Sequence, residues 1–199
     1  RTNLLIPGTE SSDTAEVDAS STDTVARYRM DLGRTSALGA LVTDRRGGDY
    51  QSSLVSIDGV LRPTDTDTVF FQAAGSRSRY PDSLASELGQ PQGNFEDWAG
   101  VAGYQHNSRD WFGYARYERI GEDFRADLGF MPRVGTEFLL AGLRRKFHGR
   151  EGAFFSDGQY GGDWNRLTAE NGDVLEDETE VWFEGAGPRQ SFWFLGGGY

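Results

Sequence analysis

The sequence predicts an all-β fold, either an antiparallel β-barrel or part of a larger barrel. Apolar and polar residues alternate in many short stretches, and Gly, Pro, Asn and Asp cluster between those stretches. No stretch carries apolar residues at the three- and four-residue spacing of a helix. The chain contains 27 Gly, 6 Pro and 13% aromatic residues, a composition typical of strands joined by tight turns. We therefore predict about ten antiparallel strands between residues 25 and 199.

The clearest strand pattern covers residues 26–32, where apolar and charged residues alternate without interruption. Successive side chains of a strand point to opposite sides of a sheet, so this pattern predicts one charged face and one apolar face. The stretch 111–119 has the same character. The residues predicted to share the charged face are Arg27, Arg29, Asp31, Arg116 and Glu118. Those predicted to share the apolar face are Tyr28, Met30, Ala115 and Tyr117.

Other strands are predicted over 36–43, 55–61, 68–75, 98–106, 136–147, 154–167, 174–186 and 191–197. Asn171-Gly172 lies between two of them and is the strongest signal for a two-residue turn in the chain. Residues 80–94 are polar and contain Pro and Gly, so we expect a long loop there. Residues 1–24 are expected to be a flexible polar loop or tail, because the part from Pro7 to Asp23 has almost nothing to bury.

The surroundings of each face distinguish two kinds of β protein. In a soluble sandwich the apolar face packs inside, whereas in a transmembrane barrel of outer-membrane type it faces lipid and the polar face lines the lumen. Here the apolar face is rich in Tyr, Trp, Gly and Ala, where a sandwich core would need more Leu, Ile and Val. This favours a barrel with the lipid bilayer as its partner, and it places Tyr28, Trp98, Trp111 and Tyr117 at the membrane interfaces. No apolar run approaches the ~18 residues of a transmembrane helix.

Charge and composition argue against several classes of function. The net charge is −11, which disfavours nucleic acid as a partner because phosphate binding needs clustered Lys and Arg. The chain has no Cys and only two His, and neither His lies at a metal-ligand spacing, so we predict no metal and no cofactor. Acidic pairs such as Asp65/Asp67, Glu122/Asp123 and Glu176/Glu178 fall in predicted turns. No nucleophile or nucleotide-binding motif is present, and we do not expect an enzyme.

The most specific motif runs from Ile120 to Arg133. Its Gly121, Phe124, Asp127, Gly129, Phe130 and Arg133 follow the pattern Val/Ile-Gly-x-x-Phe-x-x-Asp-x-Gly-Phe-x-x-Arg. This pattern resembles that of an uncharacterised bacterial family, a domain of unknown function in which an outer-membrane β-barrel usually follows a carbohydrate-binding-like domain. The resemblance covers most of residues 28–199. It implies a barrel in the bacterial outer membrane, with the rest of that barrel or the carbohydrate-binding-like domain as partners, and it implies no reaction.

The segment from Gly121 to Arg133 has two interpretations. It is either a loop folded into the lumen, where Arg125, Asp127 and Arg133 contact solute, or an architectural connection in which Asp127 forms an ion pair with Arg125 or Arg133. We favour the architectural interpretation, because loops of this composition are mostly structural.

Three functions remain open. The first is a membrane barrel that acts as a conduit or anchors a surface domain, with its cargo unspecified. The second is a soluble secreted β-domain that binds carbohydrate on flat aromatic side chains. The third is a hydrolase with a carboxylate pair, which would need two carboxylates held across a cleft.

Overall fold

The computed structural model describes residues 2–17, 20–150 and 152–199, without the side chains of residues 2 and 17. Within these ranges the chain forms strands, one short α-helix and one 3₁₀ turn at Pro188–Gln190. The helix is α1 (Asp82–Glu87). The strands are β1 (Thr2–Pro7), β2 (Ser12–Val17), β3 (Thr22–Leu32), β4 (Ser36–Gly47), β5 (Tyr50–Leu61), β6 (Asp67–Arg79), β7 (Asn94–Asn107), β8 (Trp111–Ile120), β9 (Thr136–His148), β10 (Asp157–Ala169), β11 (Val174–Ala186) and β12 (Phe192–Gly198).

Strands β3 to β12 form one ten-stranded sheet in which each strand pairs antiparallel with its neighbours in sequence. The predictions of an all-β antiparallel fold and of about ten strands are therefore confirmed. β3 and β12 are the two edges, and in the described residues neither pairs with a second strand, so the sheet is not closed. In the same residues, neither helical segment is long and apolar enough to cross a membrane.

The two faces of the sheet carry the residue sets that the alternation predicts. Residues directly opposite each other on paired strands point to the same side of a sheet. Successive partners lead from Asp31 to Arg116 through Ala37, Val60, Phe70 and Gly103. The next row leads from Met30 to Tyr117 through Leu38, Gly59, Phe71 and Ala102. We call the side of Asp31 and Arg116 the polar face, and the side of Met30 and Tyr117 the apolar face.

The turn at Asn171-Gly172 joins β10 and β11, as predicted. Gly172 has a φ of +92°, a conformation that L side chains rarely adopt. Its N–H donates to the Ala169 carbonyl at 2.9 Å, and the Asp173 carbonyl accepts from the Ala169 N–H at 2.8 Å.

The apolar face carries a band of exposed apolar side chains that crosses the whole sheet. Val55 is 59% exposed and Val181 is 61% exposed, although both are large aliphatic residues. Strand β6 contributes the half-buried Val69 and Phe71. The exposed members of the band on the other nine strands are Tyr28, Met30, Leu32, Val42, Val55, Ile57, Trp98, Tyr104, Trp111, Tyr117, Leu139, Leu143, Tyr160, Val181, Trp193 and Leu195.

Charged residues limit this band along the strands. On β6 and β7 the Arg77 Nε and Glu96 Oε1 atoms lie 3.3 Å apart. The row of partners that begins at Ile57, inside the band, passes Ala73 and Gly100 and reaches Arg119, which is charged. The band therefore shifts along the strands relative to the hydrogen-bonded rows. Such a stagger is what tilted strands produce when a level apolar belt crosses them.

The prediction of a flexible polar loop or tail over residues 1–24 is wrong at residues 2–7, 12–17 and 22–24, which form strands, and residues 1, 18 and 19 lie outside the described residues. β1 and β2 form a hairpin, and β3 already begins at Thr22. Leu4 and Ile6 are 2% and 3% exposed, and they pack against the sheet with Tyr50, Tyr80 and Phe95. The buried apolar side chains come from β1, whereas β2 is mostly exposed, pairs with β1 through its backbone and adds the partly buried Ala15. A low apolar content after Pro7 therefore did not prevent pairing.

The two longest connections lie at one end of the sheet, next to this hairpin. Residues 80–94 contain α1 where a loop without helix was predicted, and residues 121–135 join β8 to β9. Ala85 of α1 belongs to the same buried cluster as Leu4 and Ile6. The Val134 N–H donates to the Gly8 carbonyl at 3.1 Å, which links the second connection to the hairpin.

Candidate functional site

The hairpin, α1 and the connection 121–135 together cover one end of the polar face. We call residues 121–135 the capping loop. Beneath these segments, Tyr50 and Tyr80 stack with ring centroids 5.9 Å apart, and Phe95 meets Tyr80 edge-on at 5.4 Å. Phe124 and Val134 of the capping loop are each 2% exposed. This end of the polar face is therefore a small apolar core, whereas another part of the same face carries ion pairs such as Arg27–Asp58.

Asp127 anchors the middle of the capping loop through two tyrosines. The Tyr50 hydroxyl donates to Asp127 Oδ2 at 2.7 Å, and the Tyr80 hydroxyl lies 3.2 Å from both carboxylate oxygens. Arg45 Nη1 donates to the Asp127 backbone carbonyl at 3.2 Å. Burial raises the pKa of Asp127, and the hydrogen bonds from Tyr50 and Tyr80 oppose that rise. Burial also raises the pKa of Tyr80, which keeps its hydroxyl a donor.

Arg125 anchors the same loop in a different way. It is 3% exposed, and its Nη1 donates to the carbonyls of Glu122 and Phe124, both at 2.8 Å. Its Nη2 donates to Gln90 Oε1 at 2.5 Å, which ties the loop to the connection that carries α1. The guanidinium carbon lies 5.4 Å from the centre of the Phe95 ring. Arg125 therefore holds loop backbone, and among the described residues its Nε has no hydrogen-bond partner.

The predicted ion pair of Asp127 with Arg125 or Arg133 is not formed in the structure. Asp127 bonds to tyrosine hydroxyls, and Arg125 bonds to carbonyl oxygens and an amide. Arg133 Nη1 lies 3.8 Å from Glu176 Oε1 on β11 instead. The carbonyls of Glu122 and Phe124 and the amide of Gln90 accept from the two Nη atoms of Arg125, and the buried carboxylate of Asp127 accepts from tyrosine hydroxyls instead. Asp127 therefore anchors the loop, as in the architectural interpretation, but it does so through tyrosine hydroxyls and not through an arginine.

The remaining charged candidates lie on β3 and β8, on the polar face of the sheet. Arg27 forms a bidentate pair with Asp58 of β5, with Nη2 and Oδ2 2.8 Å apart. Arg116 pairs with Glu118 on its own strand, and Arg29 Nε lies 3.4 Å from Asp31 Oδ1. These five residues lie on strands of the polar face, whereas Arg125, Asp127 and Arg133 lie in the capping loop, and Glu118 lies beneath that loop. Sequence reasoning missed Asp58, although its place in the alternation of β5 could have indicated it.

A pocket of about 350 Å³ lies between the capping loop and the polar face of β4 to β8. Its wall is mostly apolar, with Leu41, Val101 and Ile120 from the strands and Phe124, Leu128 and Met131 from the loop. Thr43, Gln72 and Glu118 are the polar side chains of the wall. No sequence motif indicated this pocket, because its residues come from five strands and a loop.

The four predicted interface aromatics lie on the apolar face and are partly exposed. Tyr28, Trp98, Trp111 and Tyr117 are 67%, 49%, 40% and 39% exposed. The Arg119 guanidinium lies 4.6 Å from the Trp98 ring centre, and that of Arg145 lies 4.8 Å from Trp111. An aromatic ring beside a cation is typical of positions where an apolar surface meets water.

Two acidic residues from the clusters considered for a hydrolase form local bonds, namely Asp67 and Asp177, which lies between Glu176 and Glu178. Asp67 Oδ1 accepts from the Tyr104 hydroxyl at 2.6 Å and contacts His106 Nδ1 at 2.8 Å. Asp177 accepts from Trp164 Nε1 at 2.9 Å and pairs with Arg166. In the described residues, no group of three or more His, Asp or Glu side chains is close enough to hold a metal ion.

Comparison with known proteins adds no relative. No family model, no curated protein and no solved structure matches this chain. The resemblance drawn from the segment Ile120 to Arg133 therefore stays a hypothesis.

Proposed function

We propose that this chain is a transmembrane segment of a bacterial outer-membrane β-barrel, which serves as a conduit or as the anchor of a surface domain. The observation that carries the proposal is the exposed apolar band on one face of a strongly acidic chain. Soluble monomers rarely expose a contiguous apolar patch larger than a few hundred Å². In a bilayer the same band faces hydrocarbon, and its exposure carries no penalty.

The charged residues of the polar face also support a membrane barrel, because a water-filled lumen would solvate them. Arg27, Arg29, Asp31, Arg116 and Glu118 would face the lumen, where water solvates their ion pairs. The capping loop would lie inside that lumen and narrow one end of it. In this arrangement Arg125 and Asp127 hold the loop in place, and Arg133 reaches across to Glu176.

The two free edges require partners if the sheet lies in a membrane. β3 and β12 each have one side without a paired strand among the described residues. In hydrocarbon, unpaired backbone N–H and C=O groups cost several kcal/mol each, which is why membrane sheets close into barrels. We therefore expect β3 and β12 to pair with each other or with further strands of the same protein. A carbohydrate-binding-like domain on that protein would fit the anchor role.

A pair of neighbouring substitutions tests the membrane proposal. Val181→Arg places a charge in the apolar band, whereas Glu180→Arg places the same side chain on the polar face of the same strand. Arginine on the lipid face of a barrel costs roughly 2–4 kcal/mol near the midplane. We expect Val181→Arg to lower the amount of heat-modifiable protein in the outer-membrane fraction, and Glu180→Arg to leave it near the wild-type level.

A soluble carbohydrate-binding domain gives the opposite result. In water, an exposed valine tolerates replacement to within about 0.5 kcal/mol, so Val181→Arg would be neutral. A protein that remains in the soluble fraction without detergent and accepts Val181→Arg as readily as Glu180→Arg would overturn the membrane proposal.

A further inference from the structure

The pocket beneath the capping loop differs from the rest of the polar face. Elsewhere on that face, side chains such as Arg27 and Asp58 form ion pairs. Around the pocket, Leu41, Val101 and Ile120 of the sheet face Phe124, Leu128 and Met131 of the loop. Water in a cavity needs two or more polar partners to be held well. Such a wall is therefore a poor place for water.

The volume and the polar groups of the pocket are those of a ligand site. About 350 Å³ lies within the range of roughly 300–1000 Å³ typical of small-molecule pockets, which combine an apolar wall with a few polar groups. Thr43 and Gln72 form no side-chain hydrogen bond among the described residues, so both can bond to a ligand. The Glu118 carboxylate is already paired with Arg116.

These features define the chemistry of an occupant. The apolar wall selects a hydrocarbon or aromatic body, since apolar burial contributes about 25 cal/mol per Å². Thr43 and Gln72 can each offer one polar contact to a hydroxyl or an amine. A charged ligand would lose its hydration without meeting an unpaired countercharge. We infer that the pocket binds an uncharged, largely apolar small molecule with one or two hydrogen-bonding groups.

This inference rests on the proposed function, because the pocket would then open to the lumen and accept molecules that pass the capping loop. Binding is measurable with N-phenyl-1-naphthylamine, an uncharged aromatic amine that fluoresces in apolar surroundings. The full-length protein in lipid nanodiscs is titrated with this probe, and the non-saturable signal of empty nanodiscs is subtracted. We expect a saturable component in the wild-type protein.

Two alanines of β7 provide a matched pair of variants. Ala99 lines the pocket, and Ala102 lies on the opposite face of the same strand. Ala99→Phe fills the pocket, and we expect it to weaken probe binding about tenfold or more, whereas Ala102→Phe leaves binding unchanged. Gln72→Leu keeps the side-chain volume and removes a polar group, so it tests the pocket independently if Ala99→Phe does not fold. We expect Gln72→Leu to weaken binding several-fold.

Competition with three ten-carbon compounds tests the charge preference. 1-Decanol is expected to displace the probe at lower concentration than decanoate or decylammonium. The inference is overturned if the wild-type protein shows no saturable component, if Ala99→Phe binds like Ala102→Phe, or if either charged compound competes best.

Failure of this inference and failure of the membrane proposal give different results. A protein that behaves as heat-modifiable outer-membrane protein but binds no probe contradicts the pocket alone. A protein that is soluble without detergent contradicts the membrane proposal, and the same titration in buffer then tests the pocket independently.

Discussion

Tyr50, the first residue of β5, donates a 2.7 Å hydrogen bond to Asp127, which lies 77 residues further along the chain. Tyr80 donates to the same carboxylate from the end of β6. Three segments that are distant in sequence therefore meet at one buried carboxylate. This contact, together with the hydrogen bonds of Arg125, holds the capping loop over the pocket.

Removing the Asp127 side chain is expected to destabilise the protein. Asp127→Ala leaves the Tyr50 and Tyr80 hydroxyls buried without their acceptor, and each lost bond to a charged group contributes about 1.5–3 kcal/mol. We expect a loss of roughly 2–4 kcal/mol in the free energy of unfolding, measured by urea titration in detergent micelles. Tyr50→Phe in the Asp127→Ala background should cost little more, and the double-mutant cycle isolates the pair. Full additivity would show that the two groups do not interact.

The pH dependence of stability should carry a contribution from Asp127. Burial raises the pKa of this carboxyl above its ordinary value of 3.8 in the folded protein. The folded state therefore binds the proton more tightly than the unfolded chain, and the contribution of Asp127 is favourable at low pH and is lost as pH rises through the folded pKa. The unfolding free energy of wild type minus that of Asp127→Asn should increase as pH falls from about 7 to 4. A difference that stays constant over that range would contradict burial of the charge.

Any residue larger than glycine at Gly121, where the capping loop begins, is expected to destabilise the folded protein. A Cβ at this position would lie 2.0 Å from an oxygen of Asp97, whose other contacts include the Asp123 N–H at 3.1 Å. Gly121→Ala should destabilise the protein by about 1–3 kcal/mol, because Asp97 must move away from the loop. Gly75→Ala is the control, since a Cβ there would meet nothing within 4 Å. Equal urea midpoints for the two variants would show that the loop start is not tightly packed.

If the barrel conducts ions, its lumen should favour cations. On the polar face of β11, Glu178 and Glu180 have no ion pair within the described ranges, and Asp163 of β10 lies opposite Glu180. Replacing both glutamates by Gln is expected to lower the ratio of cation to anion permeability in planar bilayers.

Glu137→Gln, on the apolar face, is the control. The effect on the permeability ratio should be large at 0.01 M salt, where the Debye length is about 30 Å and the charges act across the lumen. It should be small at 1 M salt, where the Debye length is about 3 Å. Anion preference in the wild type would contradict this assignment.

Much of the sheet was predictable from the sequence because the period of a strand is a local property. Whether Arg29 and Tyr28 point to opposite sides depends on adjacent residues alone, and the pairing register confirms it. The turn at Asn171-Gly172 was predictable for the same reason. The hairpin of β1 and β2 was not, because the burial of Leu4 and Ile6 depends on a surface that distant strands provide.

By itself, the sequence determined the antiparallel strands, their order along the chain and the split into one charged and one apolar face, since alternation and turn residues act over two to five positions. Only the tertiary structure decided which partners Asp127 and Arg125 take and that a pocket forms under the capping loop. The physical reason is that a buried carboxylate is satisfied by whichever donors the sheet register brings within hydrogen-bond distance. Here the register brings the hydroxyls of Tyr50 and Tyr80 to Asp127, while two loop carbonyls and the Gln90 amide accept from the Nη atoms of Arg125.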